Sequence, residues 1–562
     1  MIIIEERETH KVPGRTSFFV SFNYNPEIIK EISKLDCGKD FNKKTKEWEI
    51  PICNLSSIID ILCNYDDISL KLLSDTKEEI LDVELDENNF KTHPFPYQLE
   101  GIKYGLSHKK WLLLDEMGLG KTICGIYIAE SLYNQGKLKH CLIVCGVNNL
   151  KSNWKKEISK HSKLTSIILG ERVLRNGKLN IDPSSQERIN HLMNPIEEFF
   201  IITNVESLRN DKFIEALEKS PNQIDMIIID EIHKTKDPSS HQGANLLKTK
   251  SEYKLGMTGT PLMNNPLDVY VPLKWIEADK STLTNFKSTY CNFADKYHSI
   301  IIGYKNLKML KDQLSQVSLR RLKDDVLDLP KKNIIEEYID MDPTQLSFYN
   351  DIKQGIIDEV DKVHMTTSSL LAMVTRLRQA TACPSILTSN INITSSKLNR
   401  AKDLTEQIIE NNNKVVIFST YKESVYKLKE MLSQYSPLIC TGDSSNEEIS
   451  NNIDKFQNDP DCKLFIGTWQ KCGTGLTLTS ASYMIFIDTP WTSAVYTQAQ
   501  DRIYRIGTNK PVFIYNLICK DTIDERVLDI LNNKQALSDY IVDDTITQSD
   551  LDSLRKYIED LS

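Results

Sequence analysis

Residues 111–122 have the sequence Trp-Leu-Leu-Leu-Asp-Glu-Met-Gly-Leu-Gly-Lys-Thr, and this stretch decides the fold class of the chain. Four apolar residues typical of a buried strand lead into a loop with two glycines, and a segment that can form a helix follows Lys121 and Thr122. In such a strand–loop–helix unit the loop amides and the helix N-terminus bind phosphate, the lysine reaches the outer phosphates, and the hydroxyl can bind Mg²⁺. The predicted nucleotide-binding residues are Gly118, Leu119, Gly120, Lys121 and Thr122.

A pair of carboxylates further along the chain supports a nucleotide site. The apolar strand at residues 227–229 is followed by Asp230 and Glu231. At the carboxyl end of a parallel strand, Asp230 can bind Mg²⁺ and Glu231 can orient and deprotonate an attacking water. An exposed acidic turn is the alternative for these two residues taken alone. Together with the phosphate loop they predict ATP hydrolysis, even though the strict loop pattern has glycine where Asp115 stands.

Composition limits the class of protein. The 562 residues are too many for one core, so roughly three or four domains are expected. No apolar run approaches the roughly 18–20 residues of a membrane span, and the first residues lack a secretory pattern. We therefore expect a cytoplasmic protein, either associated with the nucleoid or in the host cytoplasm if viral, and a nuclear one in a eukaryote. The twelve cysteines are scattered without a CxxC pair, which disfavours zinc and disulfide frameworks.

The hydrophobic pattern divides the chain into five regions. Short Ile/Val/Leu runs alternate with helical patterns in two separate stretches, which predicts an α/β fold with two parallel-sheet lobes covered by helices on both faces. The predicted regions are a small α/β module at 1–85, lobe 1 at 90–280, a mostly helical insertion or linker at 281–400, lobe 2 at 401–535 and an acidic tail at 536–562.

Three further side chains could complete a nucleotide site. The amide of Gln98 can donate and accept at once, which matches an adenine edge, although a solvated glutamine is the alternative. Arg502 and Arg505 are three residues apart, so a helix would carry both guanidinium groups on one face. Such a pair can neutralise charge on the transferring phosphoryl group, and a surface helix with salt bridges is the alternative.

Eleven segments, in order, resemble the Swi/Snf family of superfamily-two helicase-like ATPases. They are residues 97–98, DEMGLGKT at 115–122, 142–154, 202–209, DEIH at 230–233, 257–268, 319–330, 376–384, 415–421, 467–481 and QAQDRIYRIG at 498–507. The resemblance covers about 95–530, and it accounts for Asp115 because the family replaces the first loop glycine. It implies two RecA-like lobes that use ATP and Mg²⁺.

The resemblance also implies roles for particular residues. Gln98 would contact adenine, and Gly475, Arg502 and Arg505 would complete the ATP site from lobe 2. Residues 258–260 would couple hydrolysis to lobe closure. DNA backbone contacts would come from strand-to-loop junctions, whereas Trp154 and Trp491 are expected to pack in a core or at a lobe interface, with DNA contact as the alternative. The candidate DNA-binding residues in the two lobes are Asn149, Asn204, Thr420, Trp469 and Lys471.

The N-terminal module resembles the HARP-like domain of annealing helicases. A strand, a helix and a basic hairpin bearing Trp48 follow one another. Lys43 and Lys44 at the hairpin would suit a DNA backbone, and a solvated lysine-rich turn is the alternative. The chain also departs from the common Swi/Snf pattern: Thr477 is similar to the annealing branch, and Gly146 replaces a common proline.

These features predict an ATP-dependent translocase on double-stranded DNA that acts as a monomer and remodels or anneals forks and D-loops. Two alternatives stay open. One is a motor that displaces proteins from DNA, and the other is an ATP-gated component of a multi-protein defence or replication complex. An RNA helicase is disfavoured because the resemblance is to the double-stranded DNA branch.

Overall fold

The computed structural model divides the chain into two compact units. Unit 1 comprises residues 1–116 and 120–322, and unit 2 comprises residues 117–119 and 323–562. The structure describes residues 2–8, 16–34, 39–51, 58, 61–62, 65, 68–71, 90–146, 148–173, 179–180, 183–259, 266–293, 301–360, 367–390, 392–472, 476–490 and 493–529. The predicted acidic tail at 536–562 lies outside these residues. Within them, no helix has both the length and the apolar character needed to cross a bilayer.

Unit 1 begins with a five-stranded sheet, and its described residues include the strand, the helix and the hairpin that the sequence pattern predicted. The strands are β1 (Ile2–Glu8), β2 (Thr16–Ser21), β3 (Asp40–Asn42), β4 (Glu47–Pro51) and β5 (Ile68–Lys71), and helix α1 (Pro26–Lys34) follows β2. Their order is β3-β4-β2-β1-β5, and β3 and β4 form the predicted antiparallel hairpin. Ile4 and Val20 of this sheet belong to the same core as Leu310, so the module is packed into unit 1.

A seven-stranded parallel sheet forms the centre of unit 1. Its strands are β6 (Lys110–Leu113), β7 (His140–Cys145), β8 (Ser166–Ile168), β11 (Phe200–Asn204), β12 (Ile224–Asp230), β13 (Tyr253–Met257) and β16 (Ser318–Leu319). The order is β16-β6-β13-β12-β7-β11-β8. Alternate residues of β12 enter two cores: Ile227 and Ile229 pack on one face, and Ile228 packs on the other. This burial on both faces explains the continuous apolar runs in the sequence.

Helices and two short hairpins surround this sheet. The helices are α2 (Pro96–Ser107), α3 (Lys121–Asn134), α4 (Asn148–His161), α5 (Ser185–Leu192), α6 (Asp211–Lys219), α7 (His241–Leu246), α8 (Tyr270–Trp275), α9 (Leu283–Tyr290) and α10 (Leu307–Gln316). The hairpins pair β9 (Arg172–Val173) with β10 (Leu179–Asn180) and β14 (Cys291–Phe293) with β15 (Ile301–Tyr304).

Unit 2 is built on a six-stranded parallel sheet. Its strands are β17 (Lys332–Ile339), β18 (Val415–Ser419), β19 (Leu438–Cys440), β20 (Leu464–Thr468), β21 (Tyr483–Phe486) and β22 (Val512–Cys519), in the order β17-β22-β21-β18-β20-β19. Its helices are α11 (Lys323–Val326), α12 (Pro343–Val360), α13 (Thr367–Ala382), α14 (Ser396–Glu410), α15 (Lys422–Met431), α16 (Asn446–Asn458), α17 (Trp469–Cys472) and α18 (Ser493–Gln500). The predicted α/β class with two parallel-sheet lobes is therefore confirmed.

The structure differs from the sequence pattern in the stretch 281–400. The described residues of this stretch include four strands beside its helices, and the stretch divides between the two units at Leu322. Strand β16 joins the edge of the first sheet, and β17 pairs along its whole length with β22. The exposed residues of β17 include Ile334 and Tyr338, so the usual apolar-inside alternation is absent from this edge strand.

Candidate active site

The phosphate loop runs from the end of β6 to the start of α3, and both of its glycines have left-handed backbone conformations. Gly118 has φ 83° and Gly120 has φ 77°. A Cβ atom on Gly120 would collide with Nε2 of Gln98. Gly120 is therefore required both for the turn of the loop and for its close approach to the neighbouring helix α2.

Lys121 closes the loop from the first turn of α3. Its Nζ donates to the backbone oxygen of Asp115 at 2.8 Å and to that of Glu116 at 3.2 Å. Thr122 follows on the same turn and is half-buried. The ammonium group, the hydroxyl and the positive end of the helix dipole thus lie at one end of α3, where an anion is stabilised.

Asp230 lies at the carboxyl end of β12, two strands away from β6 in the same parallel sheet. Its Oδ2 accepts a hydrogen bond from Nε1 of Trp154 at 2.9 Å. Desolvation, followed by the neighbouring Glu231 carboxylate, raises the pKa of Asp230 above that of a free aspartate. A divalent cation beside these two carboxylates would offset both effects, so the donor set suits Mg²⁺.

Glu231 is held in a strained backbone conformation beside a small set of polar groups. It has φ 56° and ψ 51°, in the left-handed region, and its side chain is almost fully buried. Thr258 Oγ1 donates to Oε2 of Glu231 at 3.3 Å, and His233 Nδ1 lies 2.9 Å from the same hydroxyl. Desolvation lowers the pKa of His233, so at neutral pH a neutral imidazole can donate to Thr258, whose hydroxyl then donates to Glu231.

The absence of a side chain at Gly146 makes room for the side chain of Glu231. A Cβ atom at Gly146 would lie 2.7 Å from Cβ of Glu231 and 3.1 Å from its Cγ. Lys234 Nζ donates to the backbone oxygen of Gly146 at 3.2 Å, which ties the end of β7 to the segment after Glu231. The glycine that departs from the common proline pattern is thus in close contact with the candidate base.

Gln98 is fully buried at the start of α2. Its Oε1 accepts the backbone N–H of Phe95 at 3.0 Å, and its Nε2 lies against Gly120. The side chain therefore caps helix α2 while it borders the phosphate loop. The predicted adenine contact of Gln98 stays a prediction.

In unit 2 the two predicted arginines are anchored to the same short segment. Arg502 Nη1 donates to the backbone oxygen of Leu476 at 3.1 Å, and Arg505 Nη1 donates to Oγ1 of Thr477 at 2.9 Å. Gly475, which precedes this segment, lies outside the described residues. The predicted helix through Arg505 is wrong at its end, because α18 ends at Gln500 and the arginines lie in the turn that follows.

The side chain of Thr508 stabilises this turn. Thr508 Oγ1 accepts the backbone N–H of Arg505 at 3.1 Å and donates to the backbone oxygen of Ile503 at 2.8 Å. These bonds satisfy backbone groups that a continuing helix would have paired internally. The three-residue spacing of the arginines could not reveal this, because the bonds depend on a residue beyond the pair.

The candidate DNA-binding residues of unit 1 differ in exposure. Lys43 and Lys44 are exposed in the turn between β3 and β4. Asn149 lies in the first turn of α4. Asn204 is fully buried, and its Oδ1 accepts from Nη1 of Arg188 at 2.8 Å. A DNA contact by Asn204 stays a prediction. It would have to come from the Nδ2 donor, because a phosphate oxygen only accepts and cannot replace Arg188 at Oδ1.

In unit 2, Thr420 and Trp469 belong to one hydrogen-bonded group. Trp469 Nε1 donates to Oγ1 of Thr420 at 3.0 Å, and both the hydroxyl and the backbone N–H of Thr420 donate to the buried carboxylate of Asp488. Lys471 is half-buried in the short helix α17. Asp488 was missed at the sequence level, because a buried acidic residue after a strand has no distinctive pattern. Trp491 and Thr260 lie outside the described residues.

Comparison with known proteins places these features in a family. The SNF2-related domain model matches residues 97–386, and the helicase conserved C-terminal domain model matches residues 396–507. An uncharacterized ATP-dependent helicase of Mycoplasma pneumoniae is 27% identical over 490 residues, which cover 86% of this chain and 45% of the relative. The ATP-dependent DNA helicase DDM1 of Arabidopsis thaliana is 26% identical over 488 residues, which cover 79% and 61%.

The chain therefore spans less than two thirds of the length of either relative. Among solved structures, the Sulfolobus solfataricus SWI2/SNF2 ATPase core in complex with dsDNA has a TM-score of 0.38 and 25% identity, covering 85% of this chain and 98% of that one. The SNF2-related model alone spans more than half of the residues and includes the phosphate loop and both carboxylates. The chain thus belongs to the SNF2-related family, and it carries that family's domain together with a helicase conserved C-terminal domain.

Proposed function

We propose that this protein hydrolyses ATP with Mg²⁺ and uses the energy to move along double-stranded DNA. The main support is the parallel sheet of unit 1, in which the phosphate loop comes directly after β6 and the two carboxylates lie at the carboxyl end of β12. Carboxyl ends of parallel strands meet at one edge, which is where α/β proteins bind nucleotides.

In this proposal each side chain has a defined task. Thr122 and Asp230 would hold Mg²⁺, which neutralises phosphate charge when bound. Lys121 and the loop amides bind the phosphates. Glu231 orients a water and takes its proton as the water attacks the γ-phosphorus, and the bond to the bridging oxygen breaks to release ADP. His233 and Thr258 hold the Glu231 carboxylate in position.

Residues outside this set would complete the reaction. Gln98 would contact the adenine, and Gly475 would border the nucleotide. Arg502 and Arg505 of unit 2 would neutralise the charge that spreads over the transferring phosphoryl group, a contribution of about 10³–10⁵ in rate for arginine fingers. Their anchoring to Leu476 and Thr477 supports a fixed geometry for both guanidinium groups.

The test of this function is the rate of ATP hydrolysis across a panel of nucleic acids. We expect double-stranded and forked DNA to stimulate phosphate release at least about tenfold, because a translocase couples turnover to its track. Single-stranded DNA and RNA of equal length are the matched controls and should stimulate ATP hydrolysis less. If no DNA changed the rate, the translocase proposal would fail, and the ATP-gated component of a larger complex would be favoured.

We further propose that the N-terminal module is HARP-like and directs the motor to branched DNA, for remodelling or annealing. The hairpin of β3 and β4 supports this. Phe41 and Trp48 pair with ring centroids 5.0 Å apart, and Phe41 is 44% exposed. Lys43 and Lys44 lie at the tip beside this aromatic pair. An exposed aromatic ring next to lysines, such as Phe41, suits an unpaired base and the phosphates at a junction.

Reversing both tip charges, with Lys43→Glu and Lys44→Glu together, should weaken binding to forked DNA about tenfold at low salt. Each lost phosphate contact should also lower the slope of log affinity against log salt by about 1. Lys30→Glu with Lys34→Glu is the matched control, since these lysines lie on α1 of the same module. Equal fork binding by both double variants would argue against a role for the hairpin. Fluorescence anisotropy over a salt series measures both quantities.

A further inference from the structure

A buried ion pair connects the beginning of the phosphate loop to the end of unit 1. Arg321 Nε donates to Oδ1 of Asp115 at 3.0 Å, and Arg321 Nη2 donates to Oδ2 of the same carboxylate. Asp115 is fully buried and Arg321 is 9% exposed. The pair is bidentate, the geometry that fixes both the distance and the plane of the two groups.

The same guanidinium group also holds helix α2. Its Nη1 donates to the backbone oxygen of Tyr97, and its Cζ lies 5.3 Å from the centroid of the Tyr97 ring. Gly101, one turn further along α2, makes room for the group, because a Cβ atom there would lie 2.7 Å from Arg321 Nη2. Arg321 is thus enclosed by the loop on one side and by α2 on the other.

The backbone reinforces this arrangement. The N–H of Glu116 donates to the backbone oxygen of Arg321 at 3.0 Å, and the N–H of Leu114 donates to that of Leu319 at 2.8 Å. The chain at Arg321 therefore continues the pairing of β16 with β6 into the phosphate loop. A shift of Arg321 would move the loop through its main chain as well as through Asp115.

We propose that Arg321 is a positioning residue for ATP, and that Asp115 replaces the loop glycine in order to receive it. The guanidinium group fixes the start of the phosphate loop against the segment Tyr97–Gln98, and Gln98 in turn touches Gly120 at the other end of the loop. Both ends of the loop are then positioned through the contacts of one guanidinium group. This inference rests on the proposed ATP site.

The test compares Arg321→Lys with Arg320→Lys. Lysine keeps the charge of Arg321 but cannot make two parallel bonds to Asp115 and a third to Tyr97. We expect Arg321→Lys to raise the KM for ATP and the dissociation constant of a fluorescent ATP analogue about tenfold. Arg320→Lys is the matched control, since the neighbouring arginine is exposed. It should leave both constants unchanged.

Two further variants separate positioning from folding. Gly101→Ala keeps every group of the ion pair but pushes the added methyl group against Arg321 Nη2, so it should also raise the KM, and its melting temperature shows how much of the effect comes from folding. Asp115→Asn should also raise the KM, and the effects of Asp115→Asn and Arg321→Lys should be less than additive in the double variant, because the two side chains share one ion pair.

A normal KM in Arg321→Lys, or additive effects in the double variant, would overturn the inference. Failure of this inference about Arg321 can be distinguished from failure of the proposed translocation. A wild-type protein that binds the ATP analogue but is not stimulated by DNA would contradict translocation, while the affinity series would still measure the role of Arg321.

Discussion

Replacing Lys121 with alanine should reduce ATP hydrolysis by about 10²–10³-fold or more, and it should weaken ATP binding as well. In the structure the Lys121 ammonium group spans the loop through the backbone oxygens of Asp115 and Glu116. These are bonds that phosphate oxygens can replace when ATP enters the loop. The loss of the cation leaves phosphate charge without its nearest partner. Phosphate release with saturating duplex DNA measures the effect.

Lys137→Ala provides the control for this prediction. Lys137 is exposed in the turn after helix α3, so its loss removes an equal charge at the opposite end of that helix from the loop. It should leave turnover unchanged. Full activity in the Lys121 variant would show that the nucleotide site has been assigned to the wrong loop.

Replacing Glu231 with glutamine should slow ATP hydrolysis and leave ATP binding nearly unchanged, unlike the loss of Lys121. The amide keeps the size of the side chain, and its oxygen can still accept the Thr258 hydroxyl that now lies 3.3 Å from the carboxylate. Glutamine cannot take a proton from water, so hydrolysis should fall by about 10²–10⁴-fold. Affinity for ATP should change by less than about threefold.

The measurement for Glu231→Gln is turnover together with equilibrium binding of ATP. Glu252→Gln is the control, because Glu252 is an exposed carboxylate that pairs with Lys109 at the surface. If the Glu231 variant hydrolysed ATP at the normal rate, another residue would have to serve as the base. If the variant lost ATP binding instead, the main role of Glu231 would be to bind ATP and not to activate the water.

Much of the fold follows from local sequence patterns. The apolar runs of both lobes became buried parallel strands because helices cover each sheet on both faces, as they do for Ile227 to Ile229. The basic hairpin of the N-terminal module and the helix before it were also predicted correctly. Strand β17 was missed because its exposed positions include Ile334 and Tyr338, which hides the period of two.

The contacts around the site were less predictable, since they join distant parts of the chain. Asp115 and Arg321 are 206 residues apart, and neither residue type indicates its partner. Trp154 was expected in a core or at an interface, and it is 1% exposed. Its bond to Asp230 across 76 residues could not be predicted from either segment alone.

The pairing of β17 with β22 has a consequence for how the chain is made. Strand β17 leaves the ribosome first, but its partner begins at Val512, about 180 residues later. At about 5–20 residues per second, β17 waits roughly 10–40 s for its neighbour, whereas the first parallel sheet is complete once Leu319 has been synthesised. The nascent protein therefore lacks the partner of β17 during most of the synthesis of unit 2, and that interval is when chaperone binding or aggregation competes with folding.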